Sequence, residues 1–135
     1  SNFAGIAFGH AGCAAVHALS YPLGGAHHVP HGQSNQLMFA DVMRKYQEKK
    51  PVGKLNKLEE ILAAELDTEP VFALEELYKL MNAVLEKKQL REVGVTADEL
   101  PVYAKTVLET QQRLLNNNYV ELTEEDILSI YNNAF

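Results

Sequence analysis

The chain has 135 residues, 47% of them hydrophobic, and a formal net charge of −6. This length suits a single domain, residues 1–135, with a hydrophobic core, and an acidic chain without a basic stripe argues against a nucleic-acid partner. No apolar run reaches the roughly 18 residues that a membrane span needs, and the one cysteine, Cys13, excludes an internal disulfide and fits a reducing cytoplasm.

A run of small residues begins the chain and predicts a first helix from Asn2 to about Leu19. Gly5, Gly9 and Gly12 lie on one face of this helix, and each disfavours it by about 1 kcal/mol relative to alanine. We therefore expect another backbone, or a flat ligand, to approach that face closely.

The turn-forming cluster YPLGG predicts a loop over residues 21–30, and a second helix is predicted from His31 to about Glu48. His17 would then lie at the C-terminal end of the first helix and His31 at the N-terminal end of the second. Two imidazoles on adjacent helix ends can meet at one divalent cation. The alternative is a pair of histidines that merely flank a helix–helix turn, because two ligands do not make a stable site.

The first turn of the second helix carries two polar side chains, Gln33 and Asn35. We expect them mainly to face solvent, with a role in orienting ligands as the less favoured alternative. The positive end of the helix dipole lies at the same turn and disfavours a charged imidazolium, which would help to keep His31 neutral.

Apolar residues at helical spacing predict four more helices in the rest of the chain. Their approximate bounds are Lys54–Leu66, Val71–Gln89, Thr96–Leu115 and Thr123–Phe135. The first of these carries its apolar residues on one side: Leu55, Leu58, Ile61, Leu62 and Leu66. The stripe on the second is expected to pack into the core; it comprises Leu74, Leu77, Leu80, Met81, Val84 and Leu85. The predicted fold is all-α, with five to seven helices in a bundle-like arrangement.

Residues 4–35, AGIAFGHAGCAAVHALSYPLGGAHHVPHGQSN, resemble the second signature of the iron-containing (group III) alcohol dehydrogenases. That signature is a Gly/Ala-rich helix that ends in a ligand histidine, a Pro-Leu-Gly loop, and a ligand histidine followed by glycine. Within the family, the motif HALSYPLGG is similar to that of the 4-hydroxybutyrate dehydrogenase branch. The resemblance implies the family's helical C-terminal domain, which is of the dehydroquinate synthase-like type.

The same resemblance implies that His17 and His31 are two of four protein ligands to Fe(II) or, in some members, Zn(II). The other two ligands, and the domain that binds NAD or NADP, would precede Ser1, and we expect both to be absent from this chain. Phe8 matches an aromatic residue beside the nicotinamide, although a core phenylalanine is an equal alternative. Tyr21 stands where many members carry another histidine, and its hydroxyl could donate a hydrogen bond to a substrate oxygen.

The implied function is oxidation of a small alcohol by an NAD(P)-linked, metal-dependent dehydrogenase, with 4-hydroxybutyrate and succinate semialdehyde as the expected pair. The full-length enzyme is expected to be a cytoplasmic homo-oligomer, and the chain alone to be inactive and to bind metal weakly. Two alternatives remain open: a propanediol, lactaldehyde or glycerol specificity, or a non-enzymatic helical binding module whose histidines are incidental.

Overall fold

The computed structural model describes residues 2–135. Within this range it contains eight α-helices, one 3-10 helix over Leu90–Val93, and no strand. The α-helices are α1 Asn2–Ala11, α2 Ala15–His27, α3 His31–Lys49, α4 Lys54–Leu66, α5 Pro70–Val84, α6 Glu99–Thr110, α7 Gln112–Leu115 and α8 Glu124–Ala134. The all-α prediction is confirmed, and the helix count exceeds the predicted five to seven because two predicted helices are each divided.

The core lies among α2, α3, α6 and α8. Helix α2 packs along α3 and also touches α6 and α7, while α8 packs against both α3 and α6. Helices α4 and α5 form a hairpin that packs mainly on itself. The largest fully buried side chains come from the first group, the 3-10 helix included: Tyr131, Leu19, Leu23, Leu37, Met38, Leu90, Leu100, Ile127 and Ile130.

The predicted first helix is wrong in one respect, because it breaks into α1 and α2, which meet at an angle of 93°. Gly12 has a φ of +71°, a backbone conformation that favours glycine. The first N–H of α2, on Ala15, donates to the Asn118 side-chain oxygen at 2.9 Å, and Asn117 donates to the Cys13 carbonyl at 3.0 Å. Side chains more than a hundred residues away therefore hold this corner.

Replacing Asn118 by alanine should lower the free energy of unfolding by about 1–3 kcal/mol. The change removes the acceptor for the Ala15 N–H and for the Tyr46 hydroxyl. Urea unfolding measures the effect, with Asn116→Ala as the matched control, since Asn116 is exposed in the same asparagine run. Equal stabilities of the two variants would contradict the capping role of Asn118.

The loop predicted over residues 21–30 is also wrong, because α2 continues through Pro22 to His27. A proline disfavours a helix interior by about 3 kcal/mol, since it lacks the N–H and crowds the preceding turn. Here Leu19 and Leu23 on either side are fully buried, and the Tyr131 hydroxyl donates to the Leu19 carbonyl at 2.8 Å. Burial and this long-range hydrogen bond outweigh the local preference for a turn.

The α4–α5 hairpin exposes part of the stripe that was predicted to be core. Leu55, Ala63, Ala73 and Leu74 are buried. Three residues of the predicted stripe are exposed, Leu80, Val84 and Leu85, and so are four other apolar side chains of the hairpin, Leu58, Ile61, Val71 and Phe72. The two helices bury mainly the faces that they turn to each other, so the rest of each stripe stays outside.

Helices α1 and α2 are the only pair, within residues 2–135, whose joint length and composition match those of a membrane span, and they are sharply bent. No single helix in that range is long and apolar enough to cross a membrane.

Candidate metal centre

His17 and His31 come together in the structure. His17 lies in the first turn of α2, and not at a helix C-terminus as predicted, whereas His31 begins α3 as expected. His28 ends α2 in the left-handed conformation, with a φ of 54°, and the Val29 N–H donates to the Leu23 carbonyl at 3.3 Å. After this turn, α3 packs on α2, and the two imidazole rings have centroids 5.2 Å apart and planes tilted by 49°.

Asn35 contacts both rings from one turn further along α3. Its side-chain nitrogen, Nδ2, lies 3.4 Å from His17 Nε2 and 3.1 Å from His31 Nε2. The expectation that Asn35 mainly faces solvent was wrong, because the first turn of α3 packs against α2. The sequence offered one usable signal, since a residue four positions after His31 shares its helix face.

Burial lowers the pKa of His17, and the neighbouring His31 lowers it further. A partly buried ring disfavours the charged form, and a second imidazolium close by would repel it. The neutral form therefore persists to lower pH, and this is the form that binds a metal. His31 itself is exposed at the edge of the helix pair.

The two Nε2 atoms fit part of a site for a first-row divalent cation such as Fe(II) or Zn(II), because both lie within hydrogen-bond distance of the same atom, Asn35 Nδ2. Across residues 2–135 no group of three histidine, cysteine or carboxylate side chains is placed to hold a metal. Catalytic zinc usually has three protein ligands. Further ligands would have to come from outside the part of the chain that the structure describes, and the ligand roles of His17 and His31 stay predictions.

Tyr21 follows His17 by one helical turn and shares its face of α2. Its side chain is 41% exposed and lines a groove of about 350 Å³ between α2 and α6. The groove is bounded mainly by Tyr21, Pro22, Gly25, Val102, Tyr103 and Thr106, and none of its lining side chains is charged. This position suits a hydroxyl that meets a bound alcohol, a role that remains a prediction.

Phe8 lies on α1, which has no buried residue. Its side chain is 56% exposed, so Phe8 does not lie in the core that residues 2–135 form by themselves. A methyl group added at Gly5 or Gly9 would meet no atom within 4 Å apart from its chain neighbours and the nearby backbone of α1, whereas one at Gly12 would lie 2.8 Å from Asn117 Nδ2. Within the described chain, a close neighbour is therefore present only at Gly12, and it is the Asn117 side chain and not the backbone or flat ligand that was expected.

A second cluster, which the sequence did not reveal, joins the C-terminal end of α2 to α6. His27 Nε2 lies 3.0 Å from Glu99 Oε1 and 2.9 Å from the Tyr103 hydroxyl, which itself donates to Glu99 at 2.6 Å. The Tyr103 hydroxyl, then the Thr96 N–H and His27, lower the pKa of Glu99 to about 2. The Thr96 N–H also donates to Glu99, at 2.8 Å.

Glu99→Gln should destabilise the protein at neutral pH, with a difference that shrinks as the pH falls below about 4.5. The folded-state pKa lies below the ordinary 4.5, so the unfolded state binds more protons between these values. The stabilisation is thus present above 4.5 and is lost as the pH falls through about 2. Urea unfolding at pH 7, 5 and 3 measures the trend.

Glu109→Gln on the same helix is the matched control, because that side chain is 62% exposed and lies 3.9 Å from Lys105. We expect it to leave stability nearly unchanged at all three pH values. A Glu99→Gln effect that stayed constant from pH 7 to 3 would contradict the assigned role of the carboxylate.

Known proteins match this chain over its whole length. The chain is 46% identical over 135 residues to 4-hydroxybutyrate dehydrogenase from Clostridium kluyveri, and the match covers 100% of this chain and 36% of that protein. It is 36% identical over 139 residues to long-chain-alcohol dehydrogenase 1 from Geobacillus thermodenitrificans, covering 100% of this chain and 35% of the relative. The chain thus spans about a third of the length of these relatives.

Solved structures show the same fold. A crystal structure of an archaeal halo-thermophilic Red Sea brine pool alcohol dehydrogenase superposes with a TM-score of 0.78 at 21% identity, over 90% of this chain and 32% of that one. A 1,3-propanediol oxidoreductase superposes with a TM-score of 0.68 at 25% identity, over 89% of this chain and 32% of that one.

The family described as "Fe-containing alcohol dehydrogenase family, C-terminal" matches residues 1–135, which confirms the resemblance seen in residues 4–35. The chain therefore belongs to the Fe-containing alcohol dehydrogenase family and corresponds to its C-terminal region.

Proposed function

We propose that this chain is the metal-holding part of a longer NAD(P)-linked alcohol dehydrogenase. The observation that carries the proposal is the convergence of His17 Nε2 and His31 Nε2 on one point at the junction of α2 and α3. Membership of the family and the neutral state favoured for His17 support it. Fe(II) or Zn(II) would suit the imidazole donors.

A bound divalent cation would supply Lewis-acid chemistry, and a nicotinamide cofactor would accept the hydride. The chain's own residues would position these groups. His17 and His31 would hold the cation, and the Tyr21 hydroxyl would donate a hydrogen bond to the substrate oxygen from the wall of the α2–α6 groove. Phe8 would provide an apolar surface that keeps water away from the nicotinamide.

We propose 4-hydroxybutyrate as the substrate and succinate semialdehyde as the product. The support is the 46% identity to a 4-hydroxybutyrate dehydrogenase. The groove beside Tyr21 has no charged lining residue, so it would accommodate the methylene chain. The substrate carboxylate would need a cationic partner from outside this groove.

The same uncharged groove supports a second candidate, an uncharged alcohol. The relatives include a long-chain-alcohol dehydrogenase and a 1,3-propanediol dehydrogenase. An apolar groove binds an alkyl chain without leaving a charge desolvated. The two candidates differ in one requirement: 4-hydroxybutyrate needs a cationic side chain from elsewhere in the full-length protein to pair with its carboxylate, and an uncharged alcohol does not.

We further propose that the full-length enzyme is a cytoplasmic homo-oligomer. The exposed apolar side chains of the α4–α5 hairpin support contacts between copies. The single cysteine of this chain suits a reducing compartment.

The test is a substrate and metal panel on the full-length protein that contains this chain. We expect oxidation of 4-hydroxybutyrate with NAD or NADP, loss of activity on chelation, and recovery with Fe(II) or Zn(II). A higher kcat/KM for 1,3-propanediol or a long-chain alcohol would instead select the second candidate. The 135-residue chain alone serves as the control and is expected to be inactive.

If the full-length protein oxidised no alcohol in the panel with any of the metals supplied, both candidates would be overturned. It would leave a helical binding module as the better description of the chain.

A further inference from the structure

The side chain of Asn35 lies between the two histidines, and only one of its two polar atoms has hydrogen-bond partners among residues 2–135. Nδ2 lies within hydrogen-bond distance of both Nε2 atoms. Its carbonyl oxygen, Oδ1, is buried and accepts no hydrogen bond from any side chain or backbone group of residues 2–135. The contact to His31, at 3.1 Å, is the shorter of the two.

We propose that Asn35 sets the tautomer of both imidazoles before any metal binds. An amide nitrogen carries two hydrogens, so it can donate one to each Nε2. A neutral imidazole accepts only at its unprotonated nitrogen, which places the ring hydrogen of His17 and of His31 on Nδ1. Asn35 is therefore a positioning residue that acts through the two rings.

The opposite orientation of the amide is less favourable. It would place Oδ1 between the rings and leave the NH₂ group in the buried position without a partner among residues 2–135. Two orphaned donors cost more than one orphaned carbonyl oxygen, and buried N–H groups without partners are rarer in proteins than under-satisfied carbonyls. The orientation seen, with Nδ2 between the rings and Oδ1 in the buried position, is thus the more stable of the two.

This inference deepens the proposed function and rests on the metal role of His17 and His31. A cation at Nε2 needs the same lone pairs and the same Nδ1–H tautomer that Asn35 selects. The amide therefore keeps both rings ready in the metal-free protein and gives up its two hydrogen bonds when a cation enters.

The decisive experiment is histidine ¹⁵N NMR on the full-length protein that contains this chain. A chelator first removes any bound metal, and the spectra are recorded at a pH where both rings are neutral. In the wild type, we expect a single tautomer, Nδ1–H, for His17 and for His31. In Asn35→Ala, the single tautomer should be lost, most clearly at His31. Gln33→Ala is the matched control, because Gln33 lies in the same turn and the hydrogen bonds to the two rings come from Asn35; it should keep the wild-type tautomers.

An Nε2–H tautomer on either ring of the wild type would overturn the proposal, and this measurement needs no variant to fold. Unchanged tautomers in Asn35→Ala would overturn it as well. Because the spectra come from metal-free protein, such a failure leaves the dehydrogenase proposal standing, whereas an inactive full-length enzyme would not alter the tautomers.

A second variant tests the position of the side-chain tip. Two ligand atoms on a tetrahedral zinc ion with bonds of about 2.0–2.1 Å lie about 3.3–3.4 Å apart, close to the 3.4 and 3.1 Å seen here. Asn35→Asp should therefore add a third ligand and tighten Zn(II) binding to the chain by about tenfold or more. Unchanged or weaker binding would contradict the placement of Asn35 between the rings.

Discussion

Replacing His17 or His31 by alanine is expected to strip the metal from the full-length protein and to abolish alcohol oxidation. Each variant removes one of the two converging Nε2 atoms. Loss of an outer-shell partner alone typically weakens metal binding by 10–100-fold, so loss of a direct ligand should exceed about 100-fold. Metal analysis and kcat/KM for the alcohol measure the two effects.

His10→Ala is the matched control, because His10 is an exposed histidine on α1. It should retain metal and activity. Full metal content and full activity in both His17→Ala and His31→Ala would show that the two rings do not hold the cation. A loss of activity with metal retained would place the histidines in another role.

Gly12→Ala is expected to lower the free energy of unfolding by about 1–3 kcal/mol. The backbone there has a φ of +71°, and the added methyl group would lie 2.8 Å from Asn117 Nδ2. The Asn117 side chain cannot move away freely, because it donates to the Cys13 carbonyl. Denaturant unfolding measures the loss, and metal binding should weaken with it because the corner positions His17.

Gly5→Ala is the control for this prediction. Gly5 lies inside α1, and a methyl group at that position meets no atom within 4 Å apart from its chain neighbours and the nearby helix backbone. Alanine there should leave stability unchanged or raise it by up to about 1 kcal/mol, since it favours the helix. Equal destabilisation by the two substitutions would show that the corner at Gly12 is not strained by a side chain.

Local pattern determined several features that the structure bears out. Apolar spacing predicted an all-α chain, and the bounds of α3 and α4 lie within a residue of the predicted ones. The last helix was predicted to begin at Thr123, and Thr123 caps α8 by accepting the Asp126 N–H. These features depend on residues within one or two turns of each other, and for that reason they can be read from sequence.

The candidate site was only partly accessible in the same way. The histidine-rich stretch and its resemblance to the iron-containing alcohol dehydrogenases singled out His17 and His31. His17 alone was assigned to the wrong helix end, because the predicted helix lacked the break at Gly12 and ended before Pro22, whereas α2 runs from Ala15 to His27. The role of Asn35 was underestimated, since its contact with His17 depends on how α3 packs on α2.

What the sequence determined by itself is the helical class, most helix positions, the family and the two histidines. Tertiary structure alone decided the corner at Gly12, the passage of α2 through Pro22 and the meeting of the two rings. The reason is physical: the contacts that stabilise these features join residues as far apart as Ala15 and Asn118, or Leu19 and Tyr131. A preference of a few kcal/mol for a local turn is then outweighed by burial and hydrogen bonds that form only in the folded chain.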